Sequence, residues 1–423
     1  MVDAHPVAVA QEEIHTKVRE IVRAFFDGEN PDRRHFFFLA LARKGLTPDL
    51  LHFLEQKWPE DKCSKWLNAA KRSTLTKERH SEPELFLHDA LYEMFDDFTL
   101  YPEEEKFYWF QRLREYYQKL TFSTKGDRPL WEKAIINILY YDLRCDFLRA
   151  FYQNFVRWSE VAVKGYEMEL DSQLRNEVLV YIRNDSKHKN AKDSENAETV
   201  FIQDNATRWI KRLIRQAHYD QAIDFAQEIL AFESAENYSS ITHPSAMNIS
   251  EESRRELKSR ITLAHPVFWA SLHTSYGESL IYSATEPEHQ VEIVFQYALN
   301  KLKKSPIEQD QPLWWLWNRL SGYVYDRLGY LARVNGHYHK AAEYYRKALP
   351  FYKEAEIVDE IAFTQNNLAF VLALLGDMAG AKFAAEDALV RRLELGQRYP
   401  VALSYNTRGL IKALDNPGSL NGQ

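Results

Sequence analysis

The sequence predicts an all-α chain: a small N-terminal unit with one hairpin, a helical connector, and a C-terminal array of helical hairpins. Three observations carry this. Glycine (14) and proline (15) are scarce in 423 residues, so long stretches lack the residues that interrupt helices. Small and apolar residues recur at a fixed offset of 40 near the C-terminus, as in Gly336 and Gly376, Ala341 and Ala381, Ala348 and Ala388. Aromatics are abundant (24 Tyr, 24 Phe, 10 Trp), which suits stacked helices whose gaps are filled by rings.

Residues 1–32 are read as a leading helical segment. Its start, MVDAHPVAVAQEE, has no basic stretch followed by an apolar core, so it is no secretory signal. Residues 33–98 form a separate unit. HFFFLALARKG, from His35, is a short apolar helix. LTPDLLHFLEQKW follows, with Thr47 as N-cap and Pro48 at the first helical position. DKCSKWLNAAKR is a third helix. Thr74–Thr76 and Leu85–Leu87 have strand composition and flank a charged tip, and ALYEMFDDF closes the unit as a helix. Three helices and a hairpin make a winged helix.

In order and detail this unit resembles the winged-helix domain of STAND-type signalling ATPases, the superfamily of apoptosome and plant-resistance proteins. In that family the domain follows a nucleotide-binding domain and precedes a repeat sensor. A Met-His-Asp or Leu-His-Asp triplet follows the hairpin, and its histidine touches the β-phosphate of bound ADP. Leu87-His88-Asp89 stands in that place, so the resemblance marks His88 as a candidate nucleotide-sensing residue. The alternative is a histidine that caps the following helix or satisfies a local hydrogen bond. The family's ATPase part is missing: no G-x-x-x-x-G-K-[ST] occurs, so nothing cradles triphosphate oxygens. No ATP hydrolysis and no tight nucleotide binding are expected of this chain. The resemblance then implies the regulatory half of an ATPase acting with a separate partner ATPase, or a relative that lost the engine.

Residues 99–183 are a helical connector; WEKAIINILYYDLRCDFLRAFYQNFVRWSEVAV, from Trp131, carries a continuous apolar face. Residues 184–200 include NDSKHKNAKDSENAET, polar and without periodicity, and are expected to be a linker or loop. Residues 201–423 are the array. In YDRLGYLARVNGHYHKAAEYYRKAL (Tyr325 to Leu349), Leu328 and Gly329 belong to a first helix and Gly336 makes the turn. Tyr338, Ala341, Tyr345, Ala348 and Leu349 line a second helix at steps of three and four. Leu328 recurs as Leu368, and Gly329 as Ala369 and Gly409. This stretch resembles the tetratricopeptide-repeat family, with a period longer than that family's 34 residues and so with longer helices. Weaker copies run from Trp209 to Leu230 and from Phe268 to Leu299. The last copy supplies one helix, ALSYNTRGLIKALDN, before PGSLNGQ. Either that helix is the cap or the chain is a piece of something longer.

Composition narrows the function classes. A net charge of −7 disfavours nucleic acid unless a local basic patch exists. Lys62, Lys65, Lys71, Arg72 and Lys77 could form one on the winged helix, a DNA-binding alternative set against a solvated face beside Glu60, Asp61 and Glu78. Cys63 and Cys145 are read as reduced core thiols. No apolar run reaches a membrane span, and the cytoplasm is the expected location. There is no H-E-x-x-H, Cys/His pairing or G-x-S-x-G, so no metal, no cofactor and no enzymatic activity are expected. Lys301, Lys303 and Lys304 are expected to complement a helix dipole, and Trp314, Trp315 and Trp317 to pack between repeats.

What remains is binding. A repeat array presents its successive first helices as a surface for a protein or peptide partner. The candidate contacts are Tyr325, Arg333, Gln365, Asn366, Asn367 and Phe370. A dry core rarely accepts adjacent asparagines, so at least one of these amides is expected to face solvent or ligand. The expected role is a sensor or regulatory module. The alternative is a stand-alone adaptor or inhibitor in bacterial stress signalling or antiviral defence, released by a signal or by proteolysis.

Overall fold

The computed structural model describes residues 31–78, 84–89, 91–92, 95, 103–124, 126–185, 191–233, 251–262, 264–396 and 398–416, together with 16, 17 and 20. The chain divides into two compact units, Met1–His188 and Lys189–Gln423, each with its own apolar core. The fold is all-α, and the described residues contain one two-stranded sheet.

The first unit opens with α1 (Pro31–Leu41), α2 (Pro48–Leu54) and α3 (Glu60–Ala70). Phe37 through Leu41 are all buried, so α1 is a core helix. Thr47 caps α2 by accepting from the Leu50 amide at 3.1 Å, with Pro48 in the first turn, as the sequence predicts. β1 (Thr76–Glu78) pairs antiparallel with β2 (Leu85–Leu87), Thr76 opposite Leu87. The first strand lies two residues beyond the expected Thr74–Thr76. The Thr76 hydroxyl donates to the Ala70 carbonyl at 2.6 Å, tying the chain to the end of α3 and setting where pairing begins. Leu46 adds an antiparallel bridge to Leu85. The hairpin tip, most of the leading segment and most of the closing helix lie outside the described residues.

The connector is helical as expected. α4 (Glu103–Ser123) packs on α5 (Arg128–Cys145), where Tyr117 stacks on Tyr141. α6 (Phe147–Arg149) runs through a wider π-helical turn, Ala150–Phe155, into α7 (Val156–Lys164). α8 (Met168–Val180) ends in a second such turn, Tyr181–Asp185.

The second unit stacks helical hairpins. α9 (Ala191–Arg215), α10 (Tyr219–Leu230) and α11 (Glu251–Thr262) precede α12 (Pro266–Ser283) and α13 (Glu288–Lys304). The regular copies are α14 (Trp314–Val334) with α15 (Tyr338–Glu354), and α16 (Val358–Leu374) with α17 (Met378–Glu394); α18 (Arg398–Asp415) follows. Residues 191–200, expected as linker, are instead the start of α9. Tertiary packing decides this: Ala197 is buried and Glu198 pairs with Arg260 of α11 at 2.8 Å. Gly336 and Gly376 hold left-handed φ of 78° and 84° at matching turns, which accounts for their recurrence. At the register of the buried Leu328 and Leu368, α18 carries an exposed Arg408. No helix among the described residues is long and apolar enough to cross a membrane.

Candidate partner-binding face

The regular hairpins are held together by glycines meeting rings. A Cβ on Gly329 would lie 2.7 Å from the Tyr345 ring, and one on Gly322 would lie 2.8 Å from that of Tyr352. Both tyrosines are fully buried, so α14 and α15 approach as closely as a ring laid on bare backbone allows. α14 also packs against the neighbouring first helices, α12 and α16.

Where these first helices meet lies a buried charge network absent from the sequence-based candidates. Arg327 donates to the adjacent Asp326 at 2.6 Å and to the Tyr282 hydroxyl at 3.4 Å, and lies 3.7 Å from Glu278. Tyr323 donates to Glu278 at 2.6 Å, and Thr364 of α16 donates to Asp326 at 2.9 Å. Burial opposes the Arg327 charge, yet Tyr323, Asp326 and Glu278 hold the guanidinium above its usual range. Burial pushes the Asp326 carboxyl up, against the pull of Arg327. The network joins three successive first helices. Its sequence signal was available: Asp326-Arg327 is a charged pair inside an otherwise apolar-periodic helix, and charge there requires internal pairing.

The expected contacts separate. Arg333 sits among rings, 5.0 Å from the Tyr330 centroid and 5.3 Å from that of Phe370, so α14 and α16 bring Arg333 and Phe370 together. Tyr325 turns away: it stacks on Phe351 at 5.8 Å and lies beside Tyr344, both on α15. Gln365 occupies Tyr325's register one copy later. Gln365, Asn366 and Asn367 are each only 9% exposed, so none of the three amides lies open to solvent. First helices on both sides cover α16 more closely than a single helical hairpin would reveal. The amides stay unusual, because Asn366 Oδ1 and Asn367 Nδ2 are buried without a hydrogen-bond partner, as are Arg333 Nε and Arg327 Nε.

Other candidates resolve locally. His88 is exposed; its carbonyl accepts from the Leu91 and Tyr92 amides at the start of a helical turn, and its amide donates to Leu75. Lys62 lies 3.9 Å over the Trp58 ring, Lys65 pairs with Asp61, Lys71 with Glu78 and Lys77 with Asp89. The Cys63 thiol is buried, and burial pushes its pKa up. The Trp315 and Trp317 indoles donate to the Ala355 and Leu302 carbonyls near helix ends. Lys301 does more than complement a dipole: it pairs with Glu233, which also meets His273 at 2.8 Å. Burial opposes the Glu233 charge, but those two partners hold its carboxyl below the usual range.

No family model matches the chain, and no curated protein matches it. Among solved structures it is similar to a Signal Transduction ATPase with Numerous Domains (STAND) protein with a tetratricopeptide repeat sensor from Pyrococcus horikoshii. The identity is 14% and the TM-score 0.37, over 96% of this chain and 55% of that one. The chain thus spans about half the length of that protein.

Proposed function

We propose that this chain is a non-catalytic interaction and regulatory module whose repeat array binds a segment of a protein partner. The binding face is the first-helix side that carries Arg333, Asn366, Asn367 and Phe370. The observation that supports it best is the set of buried, unpartnered polar atoms there. Leaving a buried donor or acceptor unpaired costs about 1–3 kcal/mol, and folded proteins keep few of them. A partner's backbone would supply the missing partners. The test begins with affinity purification from the native host to identify the partner, followed by titration of the purified pair. The double variant Arg333→Ala with Asn366→Ala should lose binding while its own stability changes by no more than about 1 kcal/mol. Normal binding beside a collapsed melting point would make these residues structural.

The N-terminal unit fits a winged helix, since α1 to α3 precede the hairpin and Leu46 supplies a third strand position. Beside such a unit, a regulatory role with a separate ATPase is our preferred setting, ahead of a stand-alone defence or stress adaptor. DNA binding ranks lower, because the α3 and hairpin lysines already have partners. Calorimetry should detect no tight ATP or ADP binding. Micromolar affinity abolished by His88→Ala would overturn this and make His88 a sensor.

A further inference from the structure

Successive first helices carry one pattern on one face. Its first row is Tyr323, Phe363 and Leu403, 40 residues apart and each half-buried. Seven residues on comes Tyr330, Phe370 and Leu410, again half-buried. Four further on comes Val334, Leu374 and Leu414, which are 55%, 37% and 40% exposed. Steps of seven and four keep the rows on one side of each helix. Between the first two rows lie Arg327, Asn367 and Thr407, all buried. Core positions recur in a solenoid because packing recurs. The third row faces solvent, where packing gives no such reason to recur: on the second helices, Glu343 shares its register with the exposed Phe383.

We propose that these rows bind an extended peptide, apolar at alternate positions, with an acidic residue at the end lying over α14. This deepens the peptide-binding reading above and rests on it. The polar row argues for an extended occupant. Arg327 Nε and Asn367 Nδ2 are donors without acceptors. A docked helix keeps its carbonyls for itself, whereas an extended segment offers them, and the Asn367 amide turns about its last torsion to meet one. Alternate side chains of that segment fall to opposite edges, onto the flanking apolar rows. Charge sets the direction. Arg333 makes no ion pair among the described residues, and its register holds Ala373 and Ala413 in the next copies. The unpaired cation therefore stands only at the α14 end, and the α18 end is aliphatic.

A random twelve-residue phage-displayed library selected on the full chain tests this, with enriched peptides synthesised and titrated by fluorescence anisotropy. Enriched sequences should alternate apolar and polar residues and carry Asp or Glu toward one end. Each should bind at least tenfold more weakly to Phe370→Lys, Leu374→Lys and Leu414→Lys, the last two at exposed positions where the fold tolerates the change. The Arg333→Glu chain should select Lys or Arg instead. Heptad-spaced peptides, peptides indifferent to all three lysine variants, or no enrichment would overturn the proposal. If such peptides still lose affinity in the Arg333→Ala, Asn366→Ala chain, the general binding face survives and only the extended, acidic reading fails. Indifference to that chain as well removes both.

Discussion

Asp142 is an acid that burial reshapes. It accepts from Asn154 at 2.6 Å and Arg114 at 3.2 Å, yet burial outweighs both and pushes its pKa up to about 6. An unfolded aspartate titrates near 3.9. The folded state therefore holds the proton more tightly. Stability from this group is fully present below the unfolded value and is lost as pH rises through about 6. Asp142→Asn should accordingly gain on the native chain by about 2 kcal/mol between pH 4 and pH 7. Denaturant melts at the two pH values measure this, and a pH-independent difference would refute it. Arg392 is the opposite case. It is buried, donates to the Pro400 carbonyl and the Ser404 hydroxyl at 2.8 Å each, and burial lowers its pKa to about 10. Among the described residues no carboxylate pairs with it, so Arg392→Met should cost less than about 1 kcal/mol and is expected to stabilise. A loss above about 2 kcal/mol would show that its two bonds to α18 outweigh its desolvation.

At the scale of the element, the α14–α15 hairpin is defined by bare backbone under Tyr345 and Tyr352. The next copy solves the same packing differently, with Ala369 and Ala385 at the registers of Gly329 and Tyr345. Gly329→Ala should destabilise the array by about 1–3 kcal/mol, because a fully buried ring cannot yield without displacing its neighbours. Paired with Tyr345→Leu, the loss should fall short of the sum of the single losses by more than about 0.5 kcal/mol. Strict additivity in a denaturant-unfolding cycle would mean that ring and backbone do not meet.

At the scale of the molecule, two cores stand in separate units. Calorimetry of the full chain should resolve two transitions. Gly329→Ala should lower only the one from the array, and Asp142→Asn should move only the other. A single transition shifted by both variants would show that the units unfold together.

The sequence by itself determined the all-α class, the repeat array with its 40-residue offset, the Thr47 cap and the near position of the hairpin. These follow from local rules: periodicity, cap chemistry and turn glycines act within a few residues and can be read along the chain. It also pointed to Arg333 and Phe370, which the structure brings together, and to Asn366 and Asn367, whose orphaned amide atoms the structure shows. Tertiary structure alone decided the rest. Tyr325 turned to α15, residues 191–200 became helix because Ala197 is buried and α11 offers Glu198 a partner in Arg260, and Asp326 and Arg327 found Glu278 and Thr364 on neighbouring helices. Each depends on which helix lies alongside. That contact spans 38 to 49 residues of sequence for the charge network and more than 60 for Glu198 with Arg260, beyond any local pattern. It is settled by how the helices stack and which polar groups must be paired once water is excluded.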